Sequence, residues 1–199
     1  MADGNDLISF IASMSGEGNL RVEENLGDGF VRLRVSEAER RQAKHDIQHV
    51  EDIVVEMLRN ARDAGAKSIY VATMKEEGAR TLLFLDDGSG VPTEMRERIF
   101  DARVTSKLES MKMDRWGVHG RGMALFSIRQ NTRSSRVVAS GVNLGSSFCI
   151  VADTNTLPER ADQSTWPQTA KDEQGVLACV RGPHNIARAV CEFACEELH

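Results

Sequence analysis

Apolar and polar positions along the chain follow two periods, and the helical one is the stronger. Val50, Ile53, Val54, Met57, Leu58 and Ala61 recur at i, i+3, i+4, i+7, i+8 and i+11, which draws one apolar stripe on a helix facing a core. Asp63-Ala64-Gly65 closes that helix, with Gly65 expected to take the left-handed conformation just past its end. Upstream, Ser36-Glu37-Ala38-Glu39 has capping-box spacing and predicts a helix start. Residues 6–14 predict a short amphipathic helix. Residues 19–26 and 30–35 alternate imperfectly about Gly27-Asp28-Gly29, which predicts a β-hairpin with one solvated face. Beyond the long helix, Ser68–Met74 and Thr81–Leu85 predict strands joined through Gly78, and Asp86–Pro92 predicts a loop leading to a polar helix near Glu94–Phe100. Residues 101–119 carry basic side chains without a period, and Gly120–Asn131 predicts a glycine-opened helix. Strands are expected at 136–140 and 146–152. The polar stretch Asp153–Gln174, with Pro158 and Pro167, reads as a long loop or linker. A strand over Val176–Arg181 and a helix over about 184–198 end the chain.

Helices and strands mixed with short connections predict an α+β chain with a mixed, mostly antiparallel sheet. Composition adds limits. A length of 199 residues with 41% hydrophobic residues supports one sizeable core. The balance of 25 basic against 30 acidic residues, −5, gives no sign of direct nucleic-acid binding through bulk charge. The apolar run Leu7–Met14 is too short to span a bilayer, and Asp3 and Asp6 precede it where a signal peptide carries positive charge; the chain is expected to be cytoplasmic. Cys149, Cys179, Cys191 and Cys195 lack a CxxC pair and read as small apolar groups rather than a disulfide framework or zinc site. His45 and His49 have helical metal-ligand spacing, but no Glu follows the first His and no third ligand is evident, so zinc is set aside.

Three segments carry candidate chemistry. Glu56, Asn60 and Asp63 lie at i, i+4 and i+7 and share a face about a third of a turn from the apolar stripe; alone, this is also what a solvated face looks like. Asp86-Asp87-Gly88-Ser89-Gly90-Val91-Pro92 follows an apolar strand, and two carboxylates with two glycines suit a ligand offering hydrogen-bond donors, such as an exocyclic amine of adenine; a plain Asp-Gly turn is the alternative. Gly117-Val118-His119-Gly120-Arg121-Gly122 runs into a helix, where exposed backbone N–H groups and the helix dipole favour an anion, although such glycines can be structural.

Taken in this order, the three segments resemble the motifs of the GHKL superfamily, the Bergerat-fold ATP-binding domains of gyrase, heat-shock chaperone, histidine-kinase and MutL proteins. EMLRNARDAGA (56–66) is similar to the N-box, DDGSGVP (86–92) to the G1 box and GVHGRGMAL (117–125) to the G2 box. ARVTSKL (102–108) resembles the lid segment, and GSSF (145–148) the closing G3 element. The resemblance implies a two-layer α/β sandwich with helices on one face of the sheet, and the cofactors ATP and Mg²⁺. It implies that Asn60 holds Mg²⁺, that Asp86 accepts from the adenine amino group, and that Gly88 and Gly90 let backbone approach the base. Gly117, His119, Gly120, Arg121 and Gly122 would lie by the phosphates with Lys107 from the lid; Asp63 and Ser147 complete the nucleotide-binding set. Glu56 stands where hydrolytic members keep the base that activates water. The same position activates a protein hydroxyl in anti-sigma-type kinases.

The motifs place an ATP-binding domain at 36–153. Residues 1–35 form an N-terminal helix and hairpin extension, and 154–199 a linker with a strand-helix extension. The leading expectation is an Mg-dependent ATPase whose lid closure is passed to a protein partner or to further domains of a longer chain. A histidine-kinase-like or anti-sigma-like protein kinase in signal transduction, and a nucleotide-binding switch without turnover, stay open. So does a homodimer contact through the extensions.

Overall fold

A computed structural model describes residues 22–106, 112–114, 117–119, 122–171 and 173–197. The helix expected at 6–14, and Lys107, Gly120 and Arg121, lie outside the described residues. The chain divides into two compact units. One holds the described residues up to Asp46 together with Glu94–Gln130, and the other holds Ile47–Thr93 with the segment from Asn131 onward. Four helices and sheets with only antiparallel pairings occur among the described residues, an α+β organisation.

In the first unit, β1 (Val22–Gly27) and β2 (Phe30–Leu33) form the expected hairpin, and β2 also pairs with β5 (Val104–Thr105). Asp28 and Gly29 form the turn with φ of +50° and +79°, the left-handed pair that lets two strands reverse in two residues. Helix α1 (Glu37–Asp46) opens on a reciprocal capping box: Ser36 N–H donates to Glu39 Oε2 at 2.8 Å, and Glu39 N–H donates to Ser36 Oγ at 3.2 Å. Glu39 also accepts from the buried guanidinium of Arg103. The polar helix expected near Glu94–Phe100 is instead two 3-10 turns, Thr93–Met95 and Arg98–Phe100. Met95, Ile99 and Phe100 are buried there, and this spacing of apolar residues, not an extended stripe, defines the segment. Within the stretch expected to be irregular, β6 (Lys112–Asp114) pairs with β7 (Gly117–His119). Helix α3 begins only at Ala124 and runs to Asn131.

The second unit is built on α2 (Val50–Asp63) and a four-stranded sheet of β3 (Ile69–Glu76), β4 (Ala79–Asp86), β8 (Ser134–Ser140) and β9 (Ser146–Asp153), in the order β3-β4-β9-β8. The whole predicted stripe of α2 is buried. The Asp52 carboxylate accepts the N–H groups of Gln48 and His49 at 2.9 Å each, which ties down the helix start. At the other end Gly65 has φ +75°, and Ala66 N–H donates to the Ala61 carbonyl at 3.1 Å, the close expected of a glycine past the last turn. Along β4, Arg80, Leu82, Phe84 and Asp86 are buried while Leu83 and Leu85 are exposed, so its faces alternate between core and surface.

The segment expected to be a loop or linker is fastened to this unit. Pro158 O accepts from Val50 N–H at 3.1 Å, Glu159 binds Arg80 at 2.7 Å, and Arg160 N–H donates to the buried Glu51 at 3.0 Å. It contains a strand, β10 (Gln168–Lys171), paired with β11 (Leu177–Arg181). Helix α4 (Ile186–Glu197) follows, with contacts to α2 and β11. Cys179 on β11 and Cys191 on α4 come together as thiols, and burial pushes Cys179 up to about 11, with Cys191 and Cys195 adding to the shift.

Candidate functional site

The second unit holds two of the three sequence motifs. The α2 stripe turns Glu56, Asn60 and Asp63 away from the deepest core positions, yet none is simply solvated. Glu56 Oε1 accepts from Arg59 Nη1 at 2.6 Å, with side-chain exposures of 23% and 6%. Asp63 Oδ1 lies 3.3 Å from Arg62 Nε. Arg62 also reaches Glu197 Oε1 on α4 at 2.9 Å and stacks over Phe193. The amide nitrogen of Asn60 is buried and has no hydrogen-bond partner within the described structure. A buried amide without a protein partner costs stability unless a ligand or solvent meets it.

Strand β4 delivers Asp86 to the end of the sheet at 8% exposure. Its Oδ1 accepts from Gly88 N–H at 2.9 Å. Burial pushes its carboxyl above the ordinary aspartate range and the neighbouring Asp87 charge adds to this; the N–H groups of Gly88 and Ser146 work in the opposite direction. Asp87 points elsewhere, accepting from Ser68 N–H at 2.9 Å and Lys67 N–H at 2.7 Å, which holds its carboxyl low. Ser89 N–H donates to Ala64 O at 2.9 Å. The loop after β4 is therefore stitched to the turn that ends α2, and this brings the Asp86 loop to the C-terminal end of the helix that carries Asn60.

The glycines of this loop serve close backbone packing. A Cβ on Gly88 would stand 2.9 Å from Ala64 O, and one on Gly90, at φ +71°, would overlap the carbonyl oxygen of Gly141. Opposite them the turn after β8 braces the loop: Gly145 N–H donates to Gly88 O at 3.0 Å, Asn143 N–H to Ser89 O at 2.8 Å, and Val91 N–H to Ser140 Oγ at 2.6 Å. Sequence reasoning missed Ser140 and Gly141; the glycines flanking Val142-Asn143-Leu144 were the available signal. Ser147 is not brought to Asp86. It pairs with Leu85, whereas Ser146 pairs with Asp86, and alternation puts Ser146 on the Asp86 face and Ser147 on the other.

The third motif lies in the first unit. Gly117 and His119 belong to strand β7 rather than to a loop. Gly122, at φ +68°, accepts at its carbonyl oxygen from the Arg103 N–H at 2.9 Å, and a Cβ there would stand 3.0 Å from Val104 O. Among the described residues no helix is long and apolar enough to cross a membrane.

A family model described as "Histidine kinase-, DNA gyrase B-, and HSP90-like ATPase" matches residues 47–173. The DNA mismatch repair protein MutL of Thermus thermophilus is 38% identical over 84 residues, 42% of this chain and 15% of that protein. MutL of Parabacteroides distasonis is 33% identical over 108 residues, 52% of this chain and 17% of that protein. The chain thus spans about a sixth of the length of these relatives. Among solved structures, the mycobacterial sensor histidine kinase MprB aligns over 74% of this chain and 92% of that one, with TM-score 0.36 and 16% identity. Full-length ShkA in complex with AMPPNP aligns over 79% of this chain and 38% of that one, with TM-score 0.38 and 16% identity.

Proposed function

The chain belongs to the histidine kinase-, DNA gyrase B- and HSP90-like ATPase family, and on that premise we propose that it binds ATP with Mg²⁺ and hydrolyses it, passing the nucleotide state to a protein partner or to further domains. The observation that carries this reading is the stitching of the Asp86 loop to the end of α2, through Ser89 N–H to Ala64 O and Asp87 to the Lys67 and Ser68 amides. One buried carboxylate and one amide whose buried nitrogen lacks a partner are thereby held on adjoining elements. Asp86 supplies an acceptor for an exocyclic amine, and its burial raises the worth of each hydrogen bond made there.

The amide oxygen of Asn60 is a hard donor of the kind Mg²⁺ takes. A hard ion that keeps several waters needs few protein oxygens. The nitrogen of the Asn60 amide lacks a protein partner, so no bond there keeps the amide from turning its oxygen to an ion, and the neighbouring carboxylates are engaged by Arg59 and Arg62. Asn60 would hold the ion through its amide oxygen, and the bound ion would neutralise phosphate charge. Glu56 would orient and deprotonate the attacking water, a role requiring it charged and within reach. Gly117, His119, Gly120, Arg121, Gly122 and Lys107 are proposed for the phosphates on the resemblance of their motifs alone.

The test is calorimetric titration with ADP and a non-hydrolysable ATP analogue, with and without Mg²⁺, followed by phosphate release. Tighter binding with Mg²⁺ and steady release are expected, and Glu56→Ala should keep binding while losing turnover. No binding at millimolar nucleotide overturns the proposal. Binding with transfer to a protein instead of water would make the chain a kinase.

A further inference from the structure

Arg59 lies inside the N-box segment 56–66 without a role assigned to it there, and among the described residues it is one of the most buried charged side chains, 6% exposed. It sits one turn after Glu56 on α2, and its Nη1 donates to Glu56 Oε1 at 2.6 Å. A glutamate ahead of a cation on a helix is the favourable order for such a pair. The two ends differ in mobility. The guanidinium is a rigid planar fork whose charge cannot be removed at ordinary pH, and burial inside the unit fixes it. Glu56 is 23% exposed and has a flexible side chain, whose ordering costs entropy that the contact with Arg59 helps to offset. Burying the Arg59 charge is costly without a compensating anion, which favours the 2.6 Å contact with Glu56 and ties the carboxylate to the arginine's buried place.

We infer that Arg59 is a positioning residue for Glu56, holding the carboxylate oriented for its work on water. This rests on the hydrolytic reading above and extends it to a residue that acts through Glu56. Because Arg59 acts through Glu56, its loss should slow turnover without weakening nucleotide binding, and should matter only while Glu56 is present.

Phosphate release, affinity for the non-hydrolysable analogue and thermal melting are measured for Glu56→Gln, Arg59→Met, Arg59→Lys and the Glu56→Gln/Arg59→Met double variant of the full chain. Glu56→Gln should lower kcat by about 10²-fold or more. Arg59→Met should lower kcat by about ten- to a hundredfold, the cost of a misplaced catalytic group, with analogue Kd within about twofold of the parent, a difference of about 0.4 kcal/mol. Arg59→Lys, keeping the charge and losing the fork, should fall between Arg59→Met and the parent. In the Glu56→Gln background Arg59→Met should add nothing, since the pair acts as a unit. Parent-like kcat in Arg59→Met, an equal loss in both backgrounds, or a rise in kcat, which would make the pair a brake, each overturns the inference. If Arg59→Met does not fold, Arg59→Lys decides: parent-like melting and affinity with kcat lowered at least about threefold supports positioning, and parent-like kcat refutes it. Parent-like phosphate release by Glu56→Gln would instead refute the hydrolytic reading itself.

Discussion

Replacing Gly145 with alanine isolates what the β8–β9 turn contributes to the Asp86 loop. Gly145 has φ +74°, and a Cβ there would overlap the carbonyl oxygen of Asp86 and stand 3.0 Å from Asp87 Cα. Gly65 provides the control, with nearly the same φ of +75° and nothing within 4 Å of its added Cβ. The left-handed conformation costs an alanine about 1–2 kcal/mol, so Gly65→Ala should lose about that much. Gly145→Ala bears the same conformational cost, and relief of the overlap moves the turn away from β4. That separation breaks Gly145 N–H to Gly88 O and Asn143 N–H to Ser89 O, 3.0 and 2.8 Å long. At about 1 kcal/mol for each hydrogen bond, Gly145→Ala should lose about 3–4 kcal/mol. For a chain of this size the difference of about 2 kcal/mol between the variants should appear as about 4–8 °C in melting temperature. Urea denaturation gives the free energies, and ADP titration of the folded Gly145→Ala protein should show weakened binding because the loop carrying Asp86 has lost its brace. Equal destabilisation by the two substitutions would refute the reasoning, since the contact would then be worth nothing beyond backbone conformation.

Two further outcomes follow from charged groups. Asp86→Asn should abolish ADP binding, and retained affinity in calorimetry would remove the adenine role; because the folded chain holds a proton on Asp86 more tightly than the unfolded chain does, the parent should lose stability relative to Asp86→Asn as pH rises from 3.8 through the raised folded value. Arg80→Met leaves Glu159 without its main partner, a pair 7% and 11% exposed, and should cost about 3–5 kcal/mol at neutral pH. Burial alone would raise Glu159, but Arg80 and Lys75 outweigh it and hold the carboxyl low, so this stabilisation is present above the ordinary glutamate value of 4.5 and is lost as pH falls through the lowered one. Denaturation curves at neutral and acid pH should therefore show the Arg80→Met penalty shrinking on acidification; a constant penalty would mean that packing, not charge, is at stake.

What the sequence revealed depended on whether the responsible force is periodic. The α2 stripe, the capping box at Ser36 and the closing Gly65 were legible because burial and backbone satisfaction repeat at helical spacing or at fixed offsets. The Glu94–Phe100 segment misled because its polar residues fit a solvated helix, while three buried side chains, Met95, Ile99 and Phe100, fold it into two tight turns. Strand β10 was hidden because all four of its residues are exposed and show no alternation. The fastening of 158–163 was hidden for another reason: it consists of side-chain bonds to backbone and to Glu51, Asp52 and Arg80, which leave no pattern in the chain. The GSSF motif fixes neighbourhood but not parity, and only the β4–β9 register decides which serine shares the face of Asp86.

The same distinction explains the charge arrangement on α2. A helix with Glu56, Asn60 and Asp63 on one face would meet a conflict at the proposed phosphate site, because carboxylates repel phosphate while an amide does not. In this chain Glu56 is neutralised by Arg59 and Asp63 by Arg62, each cation coming from the same helix within three residues. Asn60, between them, has an amide nitrogen without a partner. Pairing the two carboxylates locally removes most of their repulsion toward an anion at short range, and leaves the amide as the group on that face with unmet hydrogen-bonding capacity. The two arginines of the same segment would thus let acidic side chains stand beside the proposed phosphate site without opposing its ligand. Arg62 extends the arrangement to α4 through Glu197 and Phe193, so the C-terminal helix is coupled to the charge balance of α2, and cutting that contact should disturb the helix end where the Asp86 loop is stitched.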